Sequence, residues 1–277
     1  MTRSQPMVTV LLPFVNVDAF LTEAIESILC QNYSALELLL LDNQRKKISK
    51  VPNLLDSRAK VINCRSFKTL SAVLNEGIRL ANGKYVARMD ADDISVNSRI
   101  KKQVEFLEIH KDLDMVGTAI RTMSESGSLG ELRLQPVTHE DIVRKLPGNN
   151  PFFHPTVMLR KDSLKKVKGP YSPFFKRSQD YELWTRLLPE VRAGNIAEPL
   201  LYYRIHQNQF GKRIAHQSIF YYRLAQFKYS IRDRKSGKSG TNWRVSVVIF
   251  KNLSVAFMKF SLSLWKLWLS SFKGKWQ

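Results

Sequence analysis

The chain has 277 residues, 44% of them hydrophobic, with 44 Lys/Arg against 24 Asp/Glu and a formal net charge of +20. That length supports a proper buried core, as one large domain or one domain with an appendage. No run of 18 uncharged apolar residues occurs, which excludes a membrane-spanning helix on sequence grounds.

Met7–Leu12 has the apolarity of a signal-peptide core, but Pro13 ends it, Asn16 and Asp18 follow, and no small-residue cleavage site appears. It reads as a first strand, Val8–Phe14. An amphipathic helix follows from Ala19 to Gln31, with Ala24, Ile25, Ile28 and Leu29 on one face. Strands are predicted at Glu37–Asp42 and Lys60–Cys64, a helix at Leu70–Ala81, a fourth strand at Tyr85–Met89 and a helix at Asn97–His110. Near-continuous apolar strands alternating with amphipathic helices imply a mostly parallel, Rossmann-like sheet covered on both faces. Further on, a fifth strand at Met115–Thr118 leads to a hairpin-like turn at Ser124–Gly127. Asn149–Pro155 is a loop, and Asp180–Leu188 a short helix ended by Pro189. Cys30 and Cys64 lie in apolar contexts without metal-ligand spacing and are expected as buried, reduced thiols of a cytosolic protein.

The densest cluster of acids lies in Tyr85–Asp93, where an apolar strand runs into Asp90, Asp92 and Asp93. Like charges so close need a compensating cation. A divalent metal carrying a phosphorylated ligand supplies one, because hard cations take oxygen ligands from carboxylates, phosphate and water. An acidic turn capping the next helix is the plainer alternative. In open α/β sheets ligands bind beyond the carboxyl ends of the strands, which puts Pro13-Phe14, Asp42-Asn43 and Asp90–Asp93 on one rim. Pro13-Phe14-Val15-Asn16 contains no glycine, so neither a dinucleotide fingerprint nor a P-loop follows the first strand.

Several segments resemble family 2 glycosyltransferases: Val8–Pro13, Ala24–Tyr33, Leu74-Asn75-Glu76-Gly77, Ala87–Ser95, His154–Met158 and Asp180–Trp184. They occur in order over about residues 8–208. The resemblance implies an α/β fold of GT-A type, a nucleotide-diphosphate-sugar donor, Mn²⁺ or Mg²⁺, and inversion at the anomeric carbon. By position, Asp90-Ala91-Asp92 is the DxD motif, with Asp92 on the metal and Asp90 facing ribose or metal-bound water. Pro13 and Phe14 would contact the nucleobase, and Asp42 would accept from base or ribose. Asp42-Asn43-Gln44-Arg45 departs from the family's two aspartates, glycine and serine, which weakens the assignment of uridine. Asp180, 88 residues after Asp92, takes the place of the catalytic base, with Gln179 where the family usually has glutamate. Helix N-cap is the competing reading of Asp180. His206 and Arg204 end a segment that in relatives approaches the donor pyrophosphate, so His206 is a candidate metal ligand and Arg204 a candidate phosphate contact. His154-Pro155 is expected to shape the acceptor loop, and Trp184 to lie in the core.

These readings divide the chain into a catalytic domain, 1–208, and a basic extension, 209–277. The donor half of the domain covers about 1–118 and the acceptor half about 119–208. From Leu201 to Gln277 there are 15 Lys/Arg and one acid, Asp233. Arg244, Lys251, Lys259, Lys266 and Lys273 fall within about 80° on a helical wheel, opposite Phe250, Phe257, Leu264 and Trp268. An amphipathic helix over about 243–272 would lie on an anionic membrane surface; packing back onto the catalytic domain is the alternative. The expected enzyme is a metal-dependent inverting glycosyltransferase using a UDP-sugar and a glycan or lipid-linked acceptor at the inner face of the cell membrane. A sugar-nucleotide nucleotidyltransferase would carry a Gly-rich basic loop after the first strand, and a nucleic-acid binder would interleave cations with stacking aromatics. Neither pattern is present, and no nucleic-acid partner is expected.

Overall fold

A computed structural model describes residues 5–45, 51, 56–207 and 215–235. The elements in chain order are β1 (Val8–Phe14), α1 (Ala19–Leu29), β2 (Leu36–Asp42), β3 (Ala59–Asn63), α2 (Leu70–Leu80), β4 (Tyr85–Arg88), β5 (Ile94–Ser95) and α3 (Arg99–Ile109). They continue as β6 (Met115–Ser124), β7 (Leu129–Arg133), α4 (His139–Lys145), β8 (Met158–Arg160), α5 (Gln179–Leu187), β9 (Ala193–Ile205) and α6 (Ala215–Lys235).

The strands form one sheet in the order β3-β2-β1-β4-β8-β6-β9-β5, with β7 added beside β6. The first four run parallel, as the continuous apolar runs require. Beyond them β8 runs antiparallel to both β4 and β6, and β6 runs parallel to β9. Side chains alternate between two apolar layers. Leu11, Leu39 and Leu41 face one, with Val73, Leu74 and Trp184. Val10, Leu12, Leu38 and Leu40 face the other, with Ala24, Ile25, Ile28 and Val104. Every residue of β2 is buried, including Glu37, whose carboxylate accepts from Thr9 Oγ1 at 2.8 Å and from the Asn82 side chain at 2.8 Å. Gly77 permits the close seat of α2, because a Cβ there would lie 2.8 Å from Leu41 Cδ1.

Helix starts carry the expected chemistry: Asp18 caps α1 through Leu21 N–H and Thr69 caps α2 through Ala72 N–H. The hairpin turn is present, with Gly127 at φ 90° and Ser124 N–H bonded to Ser128 O. Cys64 is buried, but Cys30 is exposed, contrary to expectation. It is the C-cap of α1, past the buried face of Leu21, Ala24, Ile25 and Ile28. α6 lies in the stretch assigned to the extension, yet Ala225 and Tyr229 are buried in the layer that holds Trp184. The amphipathic segment at about 243–272 and the Lys/Ser/Gly stretch 236–241 before it lie outside the described residues. Among the described residues no helix is long and apolar enough to cross a membrane.

Candidate active site

The parallel strands β1, β2 and β4 deliver Phe14, Asp42 and Asp90–Asp93 to one rim. Phe14 stands opposite Asp42 in register, and Asn43 N–H bonds Phe14 O at 2.9 Å. Over this rim opens a cleft of about 640 Å³ whose walls include Pro13, Phe14, Asn43, Asp90, Asp92 and His206. A second cleft, of about 460 Å³, is walled by Asp90, Asn150, His154, Asp180 and Tyr203 among others. Leu70 and Asp90 belong to both.

Oxygens of Asp90, Asp92 and Asp93 all lie within 4.8 Å of one another. Asp90 is clamped by both terminal nitrogens of Arg88. Burial pushes its carboxyl up, with Arg88 opposing and Asp92 adding to the rise. Asp92 Oδ2 lies 2.9 Å from His206 Nε2, and the His206 ring rests against Phe20 with centroids 5.5 Å apart. Asp93 is buried. Its Oδ1 accepts Arg204 N–H at 2.9 Å, while Oδ2 has no hydrogen-bond partner among the described residues. Burial, then Asp90 and Asp92, raise its carboxyl well above the usual range. Asp93 therefore does not cap the next helix; Ser98 is the N-cap of α3. Three crowded carboxylates, one with an orphaned buried oxygen, form an all-oxygen donor set with the His206 ring beside it, and this set fits a hard divalent cation.

Two expectations for donor contacts change. Asp42 is buried, with Gln44 N–H at 3.0 Å on Oδ1 and an ion pair to Arg65 on Oδ2, and it is absent from the cleft wall. Asn43 is in the wall instead, and its buried Oδ1 lacks a partner among the described residues. Arg204 also points away from the cleft. Its Nε donates to Asp92 O at 2.9 Å and its Nη1 to Glu125 O at 3.1 Å, while Nη2 pairs with Glu23. The guanidinium lies 4.3 Å from the Phe20 ring centroid. Successive strand residues face opposite sides, so Tyr203 reaches the second cleft while Arg204 fastens the acidic loop from behind.

In the second cleft, Asp180 is the second residue of α5 and half-buried. The N-cap is Ser178, at φ 51° and ψ 29°, a left-handed conformation that non-glycine residues adopt at a cost of about 1–3 kcal/mol. Asp180 Oδ2 accepts Asn150 Nδ2 at 2.8 Å. Burial raises its carboxyl, while hydrogen bonds from Tyr181 N–H and Asn150 and the field of Arg88 oppose the rise. His154 lies in the wall as expected, with Nε2 2.8 Å from Tyr171 Oη. Burial drives its pKa well down, so the ring is neutral. Trp184 is fully buried, packed edge-on to Phe152 and His154. Sequence reasoning overlooked Arg88 and Asn150. Arg88 left a signal, since a lone cation at the end of an otherwise apolar parallel strand must find a buried partner.

A mostly parallel sheet with an acidic strand-end loop between two clefts is an arrangement of GT-A type. Residues 9–168 match the family described as "Glycosyl transferase family 2". The O-antigen biosynthesis glycosyltransferase WbnJ of Escherichia coli is 35% identical over 249 residues, covering 87% of this chain and 94% of that protein. Among solved structures, Staphylococcus aureus TarS 1–349 in complex with UDP-GlcNAc aligns at TM-score 0.59 and 13% identity, covering 91% of this chain and 71% of that one. A mannosyltransferase from Pyrobaculum calidifontis in complex with GDP-Man and Mn²⁺ aligns at TM-score 0.57 and 16% identity, covering 95% and 76%. The chain belongs to glycosyl transferase family 2 and is a glycosyltransferase.

Proposed function

We propose that the enzyme is a metal-dependent, inverting transferase that moves a sugar from a nucleotide-diphosphate donor to a hydroxyl of a polysaccharide or lipid-linked acceptor. The observation that carries this reading is the meeting of the two clefts at Asp90, with Asp92 on one side and Asp180 on the other. The nucleotide lies in the larger cleft, its base between Pro13-Phe14 and the unpartnered Asn43 amide oxygen, which accepts from a base N–H as uracil offers. Asp92 and Asp90 hold Mn²⁺ or Mg²⁺, with His206 and Asp93 beside them. When bound, the ion neutralises charge on the departing diphosphate.

Asp180 then accepts the proton of the acceptor hydroxyl. As that oxygen bonds to the anomeric carbon, the bond from carbon to the phosphate oxygen breaks, and the nucleoside diphosphate leaves with the electron pair. Asn150 keeps the carboxylate aimed and favours its ionised form. Nucleotide release from a panel of NDP-sugars, with membrane extract as acceptor and with or without EDTA and added Mn²⁺, tests the reading. Extract-dependent release that EDTA abolishes and Mn²⁺ restores is expected; release from no donor refutes it.

The raised carboxyl of Asp180 sets a pH dependence. A base must be ionised, so kcat/KM rises with pH through a pKa displaced above the ordinary carboxylate range. Asn150→Ala removes a hydrogen bond to the ionised form, and the acidic limb of its pH profile is expected to move further up. An unmoved limb would detach Asn150 from the base. We also propose that residues 243–272 hold the enzyme at the anionic inner face of the membrane. Truncation after Ser239 is then expected to shift it from the membrane to the soluble fraction, and persistence in the membrane fraction rules the tail out as the anchor.

A further inference from the structure

The family match ends at residue 168, yet the cleft that holds Asp180 is walled in part by Ser218 and Tyr222 of α6. α6 is fixed there from several sides. The Tyr222 ring stacks on Tyr181 with centroids 4.2 Å apart and planes at 20°. Tyr222 Oη donates to Gly148 O at 3.2 Å, and Gln226 Nε2 donates to Pro147 O at 2.9 Å and Gly148 O at 3.0 Å. Ser178 Oγ, one residue before α5, donates to Ser218 O at 3.3 Å. Ala225 and Tyr229 are buried beneath. The Pro147-Gly148 carbonyls that α6 grips lie on the same loop as Asn150, which holds Asp180.

We infer that α6 is the far wall of the acceptor site, and that it limits the size of the sugar that reaches Asp180. The inference rests on the glycosyl-transfer reading above and names the part of the chain that reads the acceptor. The cleft walls have the chemistry for a carbohydrate: Phe153, Tyr203 and Tyr222 contribute aromatic rings, while Asn150 and Ser218 contribute polar groups. Among the described residues the larger cleft, where the nucleotide is placed, has no wall residue from α6. Bulk added on the cleft side of α6 therefore acts on acceptor use alone.

The full-length enzyme, with membrane extract from cells lacking it as acceptor source, provides the test. Ser218→Trp is expected to lower extract-dependent nucleotide release by about tenfold or more through the KM for the extract. Affinity for UDP and slow extract-independent hydrolysis of the donor stay at wild-type levels. Ile219→Trp adds the same bulk at a neighbouring exposed position and leaves transfer unchanged. To separate blocking from misfolding, Ser218→Cys is made in a Cys30→Ser background and labelled after folding with a bulky maleimide. Labelling is expected to lower transfer by about tenfold or more relative to the same protein unlabelled. Labelled protein that transfers as fast as unlabelled overturns the inference, as does a Ser218→Trp enzyme with wild-type KM. If the wild type itself releases no nucleotide with the extract, the glycosyl-transfer reading fails instead.

Discussion

Asp180→Asn is expected to slow transfer by about 10²–10⁴-fold while nucleotide affinity stays where it was. The substitution keeps the shape of the side chain, and its carboxamide oxygen can still accept from Asn150 Nδ2, so the start of α5 should survive. What disappears is the capacity to take a proton. The corresponding rise in barrier is about 3–5 kcal/mol, well above what a change in packing at a half-buried position would produce. Nucleotide binding is the control, because Asp180 lies in the smaller cleft and is absent from the walls of the larger. Single-turnover transfer rates together with calorimetric UDP titration would check both halves. Wild-type turnover by the variant would remove Asp180 from the chemistry.

Asp92→Ala should abolish the metal dependence of donor binding. In the wild type, UDP affinity in Mn²⁺ is expected to exceed that in EDTA by about tenfold to a hundredfold, or about 1.4–2.8 kcal/mol. In the variant the two values should coincide. Asp92 is the informative position because each of its neighbours also has a contact within the protein that a substitution would break. Asp90 is clamped by Arg88, and Asp93 accepts the backbone amide of Arg204. Removing Asp92 leaves those contacts intact and releases only the His206 ring nitrogen. A thermal melt with and without Mn²⁺ gives a second readout: the wild type gains stability from the ion by mass action and the variant does not. Unchanged UDP affinity in Mn²⁺ would count against Asp92 as the principal ligand.

The first 118 residues were legible because their pattern is redundant. β1 and β2 are continuous apolar runs, and α1 and α2 show the spacing of one buried face, so the four parallel strands and the rim they create follow from periodicity. Residues 119–208 obscure their strands. β9 begins Ala193-Gly194-Asn195, carries Pro199 and breaks register against β6 near Ala119, so neither apolar alternation nor propensity marks it as a 13-residue strand. β5 has two residues and exists only through its pairing with β9. Which titratable groups meet was half visible. Asp90, Asp92, His206 and Asp180 come to the clefts as the motifs imply. Asp42 and Arg204 do not, because local sequence cannot show that Arg65 and Glu23 lie close enough to claim them.

Asp90 and Leu70 form a wall common to both clefts, which offers a physical route for ligands in the two clefts to couple. On the proposed function, a rearrangement of the Arg88–Asp90 clamp on donor binding would also reach the cleft that holds Asp180. Whatever factor the nucleotide sugar imposes on acceptor affinity, the acceptor must impose on the nucleotide sugar.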